Sequence, residues 1–273
     1  MNTLREEALW AVEAARHEGW IGEGDTSVLF HSWTQQKRYL DHLTTAFSHP
    51  RALHAVAIKT QPHVEILRRV VAWGYGLEAA SMEEVQLARK AGCPPERIVF
   101  DSPVKTRREI EQCQEELHAI RFNVNTLEEL HRLPSRPHFP VGIRINPMVE
   151  TGAPSVYHVS HDESKFGVPI AQKSALLEAI LAFPVTQLHV HSGSSMARTE
   201  SAVSAIRTVV DLAQEANGLL ANAGLERRID TLDIGGGLMP EILTDSPSAM
   251  IAYAQALRGT CPELWNYQLI TEF

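Results

Sequence analysis

From residue 53 to the end, the sequence keeps one rhythm: a short apolar run, an amphipathic stretch, then another run. The runs are "LHAVAIK" (53–59), "GLEAAS" (76–81), "RIVFDS" (97–102), "AIRFNV" (119–124), "VGIRIN" (141–146), "QLHVHS" (187–192), "DTLDIGG" (230–236) and "YQLITEF" (267–273). Between them lie segments such as "PHVEILRRVVAWG" and "SMEEVQLARKAG", apolar at helical spacing. Eight strands alternating with helices predict an α/β protein with a parallel (β/α)8 barrel. An open doubly wound sheet shares this alternation, and periodicity leaves it open.

Local signals support the helices. The long segment "TESAVSAIRTVVDLAQEANGLLANAG" stops at Gly224, where a C-cap glycine belongs. "TLEEL" (126–130) begins with a Thr-x-x-Glu capping box. Upstream, residues 3–18 read as a helix with Leu4, Ala8, Ala11 and Val12 on one face, broken by "GWIGEGD". "SVLFHSW" (27–33) reads as a strand, and a helix follows over 34–48. The expected organisation is residues 1–50 as helix, strand and helix, and 51–273 as the barrel, ending at its eighth strand.

Composition narrows the function classes. A net charge of −8 without a dense Lys/Arg run argues against nucleic acid. The start "MNTLREEALW" has no apolar signal region, and no 18-residue apolar run follows, so a cytoplasmic protein away from membranes is expected. Three cysteines without metal-type spacing read as free thiols in a reducing compartment.

Barrel active sites lie at the carboxyl ends of the strands. That rule selects Lys59, Glu78 with Ser81, Asp101, Asn123, Arg144, His191 to Ser194, Gly235 to Gly237, and Glu272. Lys59 ends an apolar strand and reads as a snorkelling lysine or as a Schiff-base lysine with a pKa lowered by burial. The glycines of "DIGGGL" read equally as a phosphate cradle or as a tight turn. His189 and His191 share one face of a strand. Such a pair could bind zinc with Asp101 or Glu272, although no His-Glu-x-x-His helix is present. His189 lies deeper and reads as a packed structural histidine. Glu272 calls for a cationic partner, either a protonated ring nitrogen or Arg144.

Several of these stretches occur together and in order in one family. From about residue 27 to 273 the chain resembles the fold-type III, alanine-racemase-like pyridoxal-phosphate enzymes, within them the diaminopimelate, ornithine and arginine decarboxylase group. "HAVAIKTQPHVEIL", "GLEAASMEEVQLARKAGCPPERIVFDSPVKT", "VGIRINP", "DESKFGV", "HVHSGS", "LDIGGGL" and "LITEF" carry the resemblance. It implies pyridoxal 5'-phosphate as cofactor, no metal, and a lyase of amino-acid metabolism acting on a small amino acid. Lys59 would form the Schiff base and His191 would stack on the pyridine ring. Ser194 and the amides of Gly235, Gly236 and Gly237 would hold the phosphate. Glu272 would pair with the ring nitrogen, Arg144 would order that network, and Glu78 would stand beside the lysine or ring.

The chain also departs from the family pattern. Thr60 and Gln61 follow the lysine where Ala-Asn or Cys-Asn is usual, and Glu78 replaces an aspartate. Thr271 and Phe273 flank the glutamate in place of the usual residues. Family members continue into a β-rich domain that completes the site across a head-to-tail dimer. The expectation is therefore a truncated barrel, incomplete as an enzyme alone, that forms a homodimer or pairs with a chain carrying that domain. Three alternatives stand beside it: a non-catalytic binding or regulatory protein of the same fold, a racemase of that fold, and a metal-dependent barrel hydrolase.

Overall fold

The computed structural model describes residues 3–150, 160–161, 163–193, 199–238 and 247–273. The chain divides into two compact units, Met1–Asp41 and His42–Phe273. The first holds helix α1 (Thr3–His17) and most of helix α2 (Trp33–Ala46). Gln35 donates to the Glu7 carboxylate at 2.9 Å between the two helices. The strand expected over 27–33 does not form: residues 27–32 join no ladder. A strand exists only against a neighbour. Here Ser32 takes another role, accepting the Gln35 N–H at 3.3 Å as N-cap, so Trp33 already belongs to α2. Val28, Leu29 and Phe30 are left exposed.

Among its described residues the second unit contains nine parallel strands: β1 (Ala52–Ala57), β2 (Gly76–Ala79), β3 (Ile98–Phe100), β4 (Arg121–Val124), β5 (Val141–Asn146), β6 (Val168–Pro169), β7 (Val185–Val190), β8 (Thr231–Asp233) and β9 (Gln268–Glu272). Eight of them close a ring in the order β1, β2, β3, β4, β5, β7, β8, β9, with β9 pairing back onto β1. The barrel alternative holds and the open sheet does not. The two-residue β6 is an addition, laid against the end of β5 at Ile145 and Asn146. The helices between the strands are α3 (Val64–Ala72), α4 (Met82–Lys90), α5 (Arg107–Glu116), the single turn α6 (Leu127–Leu130), α7 (Lys173–Ala182), α8 (Thr199–Asn222) and α9 (Pro247–Thr260).

Caps set the helix ends. Gly224 sits at φ +68° after α8. Its N–H bonds the Ala221 carbonyl and the Leu225 N–H bonds the Leu220 carbonyl, each at 3.0 Å, which is a Schellman motif. At α6, Thr126 accepts the Glu129 N–H at 3.3 Å, but Glu129 reaches past the cap to the Asn125 N–H at 2.9 Å. The reciprocal capping box belongs to α5, between Thr106 and Glu109.

Inside the barrel, Leu53, Ala55, Val99 and Ile270 form a buried apolar cluster. A polar layer adjoins it: Gln187 donates to the Asn123 side chain at 2.5 Å, in space left by Gly142. Asn123, expected at the site, belongs to this packing layer. Phe100, Phe122 and Phe139 fill the space outside β3 and β4 with edge-on and stacked contacts. Each such side chain, fully buried, contributes about 1.5–3 kcal/mol relative to exposure.

Candidate active site

Strand register decides which charged side chains meet. Arg144 on β5 lies beside His189 on β7, and His189 lies beside Asp233 on β8, so three charged residues share one level of the barrel. His189 is fully buried, with Nδ1 3.0 Å from Asp233 Oδ2 and Nε2 3.3 Å from Asp101 Oδ2. Arg144 approaches the same Asp101 oxygen at 3.6 Å. Its guanidinium lies over the Phe166 ring, 4.7 Å from the centroid. Phe166 belongs to the "KFGV" loop, which Asn125 ties down by accepting the Gly167 N–H at 2.9 Å and donating to the Lys165 carbonyl at 2.8 Å. Gly167, at φ +75°, lies so close to the end of β5 that a Cβ would press on its backbone.

Lys59 is delivered by a different device. β1 stops at Ala57 and tightens into a 3₁₀ turn over Ile58–Thr60, which Thr60 closes by donating to the Ala57 carbonyl at 2.8 Å. The turn buries Ile58 and leaves the Lys59 side chain 45% exposed, its amine 3.2 Å from Glu78 Oε2. Glu78 is fully buried on β2. Ser81, expected at the site, instead caps α4. Glu272 is pinned from both sides: its N–H bonds the Gly235 carbonyl at 2.8 Å, and the next N–H bonds the Ala55 carbonyl at 3.1 Å. Its carboxylate stands 3.7 Å from both His191 Nδ1 and His189 Nδ1.

The glycine run after β8 is demanded by this packing. A Cβ at Gly235, Gly236 or Gly237 would overlap the carbonyl of Val190, Glu272 or Gly193, respectively. Gly235 and Gly237 also have positive φ, +63° and +84°. The Gly235 N–H already donates to Asp233 at 3.0 Å. Ser194 lies outside the described residues.

The electrostatics sort these groups into distinct states. Burial pulls Lys59 down, but Glu78, Asp101 and Glu272 outweigh it and leave its pKa raised, opposite to the expected lowering. Burial also pulls His189 down, and Asp233 and Asp101 raise it above 6.5. The two carboxylates thus favour the imidazolium form of His189, which does more than the packed residue expected. Burial, helped by Arg144, Lys59 and His189, drives His191 well below 6.5, so its ring is neutral. Burial favours a protonated Asp101, but His189 and Arg144 hold it well below the usual carboxylate range. Burial and the nearby Asp101 push Glu78 well above that range. Burial, then Asp233, Asp101 and Glu78, do the same to Glu272.

Among the described residues, neither buried Glu272 oxygen has a hydrogen-bond partner. Such a carboxyl calls for a cation or N–H donor. A pyridinium N–H meets that demand, and the neutral face of His191 suits an aromatic ring, so the residues fit pyridoxal phosphate. Asp101, His189 and Glu272 also stand within 4.8 Å of one another, a spacing a metal ion can bridge. Both ring nitrogens of His189, however, already face carboxylates, Asp233 at 3.0 Å and Asp101 at 3.3 Å, an arrangement that favours a proton on each over a metal. Asp233 escaped the sequence reading; the available signal was an acid inside a buried strand just before three glycines.

Comparison with known proteins places the chain in a family. Residues 35–272 match the family described as pyridoxal-dependent decarboxylase, pyridoxal binding domain. The diaminopimelate decarboxylase of Zymomonas mobilis is 27% identical over 259 residues, 90% of this chain and 59% of that protein. The diaminopimelate decarboxylase of Aquifex aeolicus is 32% identical over 197 residues, 69% of this chain and 45% of that one. The chain thus spans about half the length of these relatives. The crystal structure of Helicobacter pylori diaminopimelate decarboxylase with L-lysine superposes with a TM-score of 0.81 at 24% identity, over 94% of this chain and 65% of that one. That likeness shows a shared fold. By the family match, this chain belongs to the pyridoxal-dependent decarboxylases and carries their pyridoxal binding domain.

Proposed function

We propose that this chain holds pyridoxal phosphate at the carboxyl end of its barrel and serves the decarboxylation of a small amino acid. The carrying observation is the buried Glu272 carboxyl, whose two oxygens make no hydrogen bond among the described residues and stand 3.7 Å from His189 and a neutral His191. Bound, the cofactor supplies an electron sink, a protonated ring that takes up the electron pair left when a carboxylate departs as carbon dioxide.

The chain's residues would do the rest. Lys59 would hold the cofactor through its amine. That amine must be neutral to attack a carbonyl, and the three carboxylates that raise its pKa oppose this. Glu78 would supply the remedy: in its ionised form, 3.2 Å from the amine, it would take the amine's proton, and its raised pKa favours keeping it. His191 would form the ring platform, and Glu272 would keep a proton on the ring nitrogen by offering a carboxylate oxygen to it. Arg144, seated on Phe166 and paired with Asp101, would fix the His189 level beneath. Gly236 and Gly237, with Ser194, would cradle the phosphate. Gly235 has given its N–H to Asp233 and would contribute backbone approach alone.

Substrate selection and turnover would need a partner subunit or a further domain, in keeping with relatives of which the match covers 59% and 45%. The reading is tested by carbon dioxide release from a panel of diaminopimelate, ornithine, arginine, lysine and carboxynorspermidine. The assay uses the chain alone and the chain mixed with a homologous β-rich domain. Release from one substrate, lost in Lys59→Ala, supports it. Chiral conversion without carbon dioxide would point to a racemase. Cofactor binding with neither reaction would point to a regulatory protein of this fold.

A further inference from the structure

The opposite end of the barrel carries a second concave site. A cleft of about 550 Å³ opens where β1, β2, β3, β4 and β9 begin, the end away from Lys59 and Glu272. Its walls include Arg51, Arg97 and Arg121, one acid, Glu96, and the aromatic rings of Trp73 and Tyr75. Among the described residues, none of the three guanidiniums makes an ion pair within 4.0 Å. Neutral oxygens position two of them. Arg51 donates to the Asn266 carbonyl at 2.6 Å, and Arg121 donates to the Gln268 side chain at 3.4 Å. Such tethers aim a guanidinium without cancelling its charge. The Nε of Arg121 is buried and has no hydrogen-bond partner among the described residues. An unpaired, half-buried guanidinium is costly unless something anionic completes it.

The rest of the molecule sharpens the ligand class. The chain is acidic, with 33 Asp and Glu against 25 Lys and Arg, so a local group of three arginines goes against the global balance. Net negative charge disfavours an extended polyanion such as nucleic acid. A small anion feels the three nearby guanidiniums against two acids, Glu96 and Asp230, both of which act on Arg121, because screening removes the distant charges. The cleft volume matches a small-molecule site, and Trp73 and Tyr75 add apolar wall. We propose that this amino-end cleft binds a small metabolite bearing two or more carboxylate or phosphate groups, gripped by Arg51, Arg97 and Arg121. It shares no residue with the proposed cofactor site and does not depend on that reading.

The test is calorimetric titration of the full chain, saturated with pyridoxal phosphate so that the other end is filled. Inorganic pyrophosphate and citrate serve as probes. At least one should bind saturably. Arg121→Gln should weaken that binding about tenfold, the scale of one charge-assisted hydrogen bond. Arg51→Gln, at an exposed position, should weaken it in the same direction and guards against a folding failure at Arg121. No saturable binding of either probe, or binding unchanged in Arg51→Gln and Arg97→Gln, would overturn the proposal. Retained binding in Lys59→Ala separates this site from failure of the cofactor reading.

Discussion

His189 is the keystone of the buried charge level, so its removal is the sharpest test of the site's physics. In His189→Leu the imidazolium that faces Asp233 at 3.0 Å and Asp101 at 3.3 Å is lost. Among the described residues, Asp233 then keeps the Gly235 N–H, and Asp101 keeps its hydrogen bond with Glu78 and the longer contact to Arg144 at 3.6 Å. Breaking a buried pair by removing one partner costs about 3–5 kcal/mol. In a domain of this size each kcal/mol moves the midpoint by roughly 2–4 °C, so the expected fall is roughly 6–20 °C by calorimetry. The pH dependence carries a definite sign. The folded pKa of His189 is raised above 6.5, so its contribution is fully present below about 6.5. That contribution fades as pH rises through the raised value. The gap between wild type and variant should therefore narrow at alkaline pH. Adding Asp233→Asn, which still accepts the Gly235 N–H, should recover part of the loss. A midpoint change near zero, or a gap that widens with pH, would refute the charge-level account.

Further outcomes follow from the same geometry. Glu272→Gln should stabilise the cofactor-free protein increasingly as pH rises above about 4.5, because the folded pKa of Glu272 is raised. The variant should bind pyridoxal phosphate more weakly; urea midpoints and titration read the two effects. Gly236→Ala places a methyl on the Glu272 carbonyl and should cost about 1–3 kcal/mol, with a loss of cofactor affinity measured alongside. Lys105, fully buried, pairs with Glu129 at 3.1 Å and lies over the rings of Phe100 and Phe122. Lys105→Met should cost about 3–5 kcal/mol by chemical denaturation, and the double variant with Glu129→Gln should restore most of it.

The fold was legible because its signals are local. Apolar runs bounded by turns located all eight barrel strands to within two or three residues, and Gly224 marked the end of α8 by its own backbone conformation. The run 27–33 misled for the same reason. Its residues favour a strand, but pairing needs a neighbour that local composition cannot supply. The two-residue β6 was too short to leave a pattern.

The site was legible as a set of strand ends, less so as a network. Lys59 meets Glu78, Arg144 meets Asp101, and His191 meets Glu272. What each does depends on residues brought in from distant strands. Raising Lys59 takes carboxylates from three other strand ends, and charging His189 takes Asp101 and Asp233 from two. Such couplings arise when the barrel closes. Lys105 shows the limit well: "SPVKT" looks like a polar loop, yet its lysine is fully buried by Glu129 and two phenylalanine rings.

A visible-absorbance titration of the purified chain with pyridoxal phosphate tests the central claim most directly. The account predicts a saturable protein-bound band in the wild type, no such band in Lys59→Ala, and weaker binding in Glu272→Gln. A band that persists in Lys59→Ala, or affinity indifferent to Glu272, would contradict it.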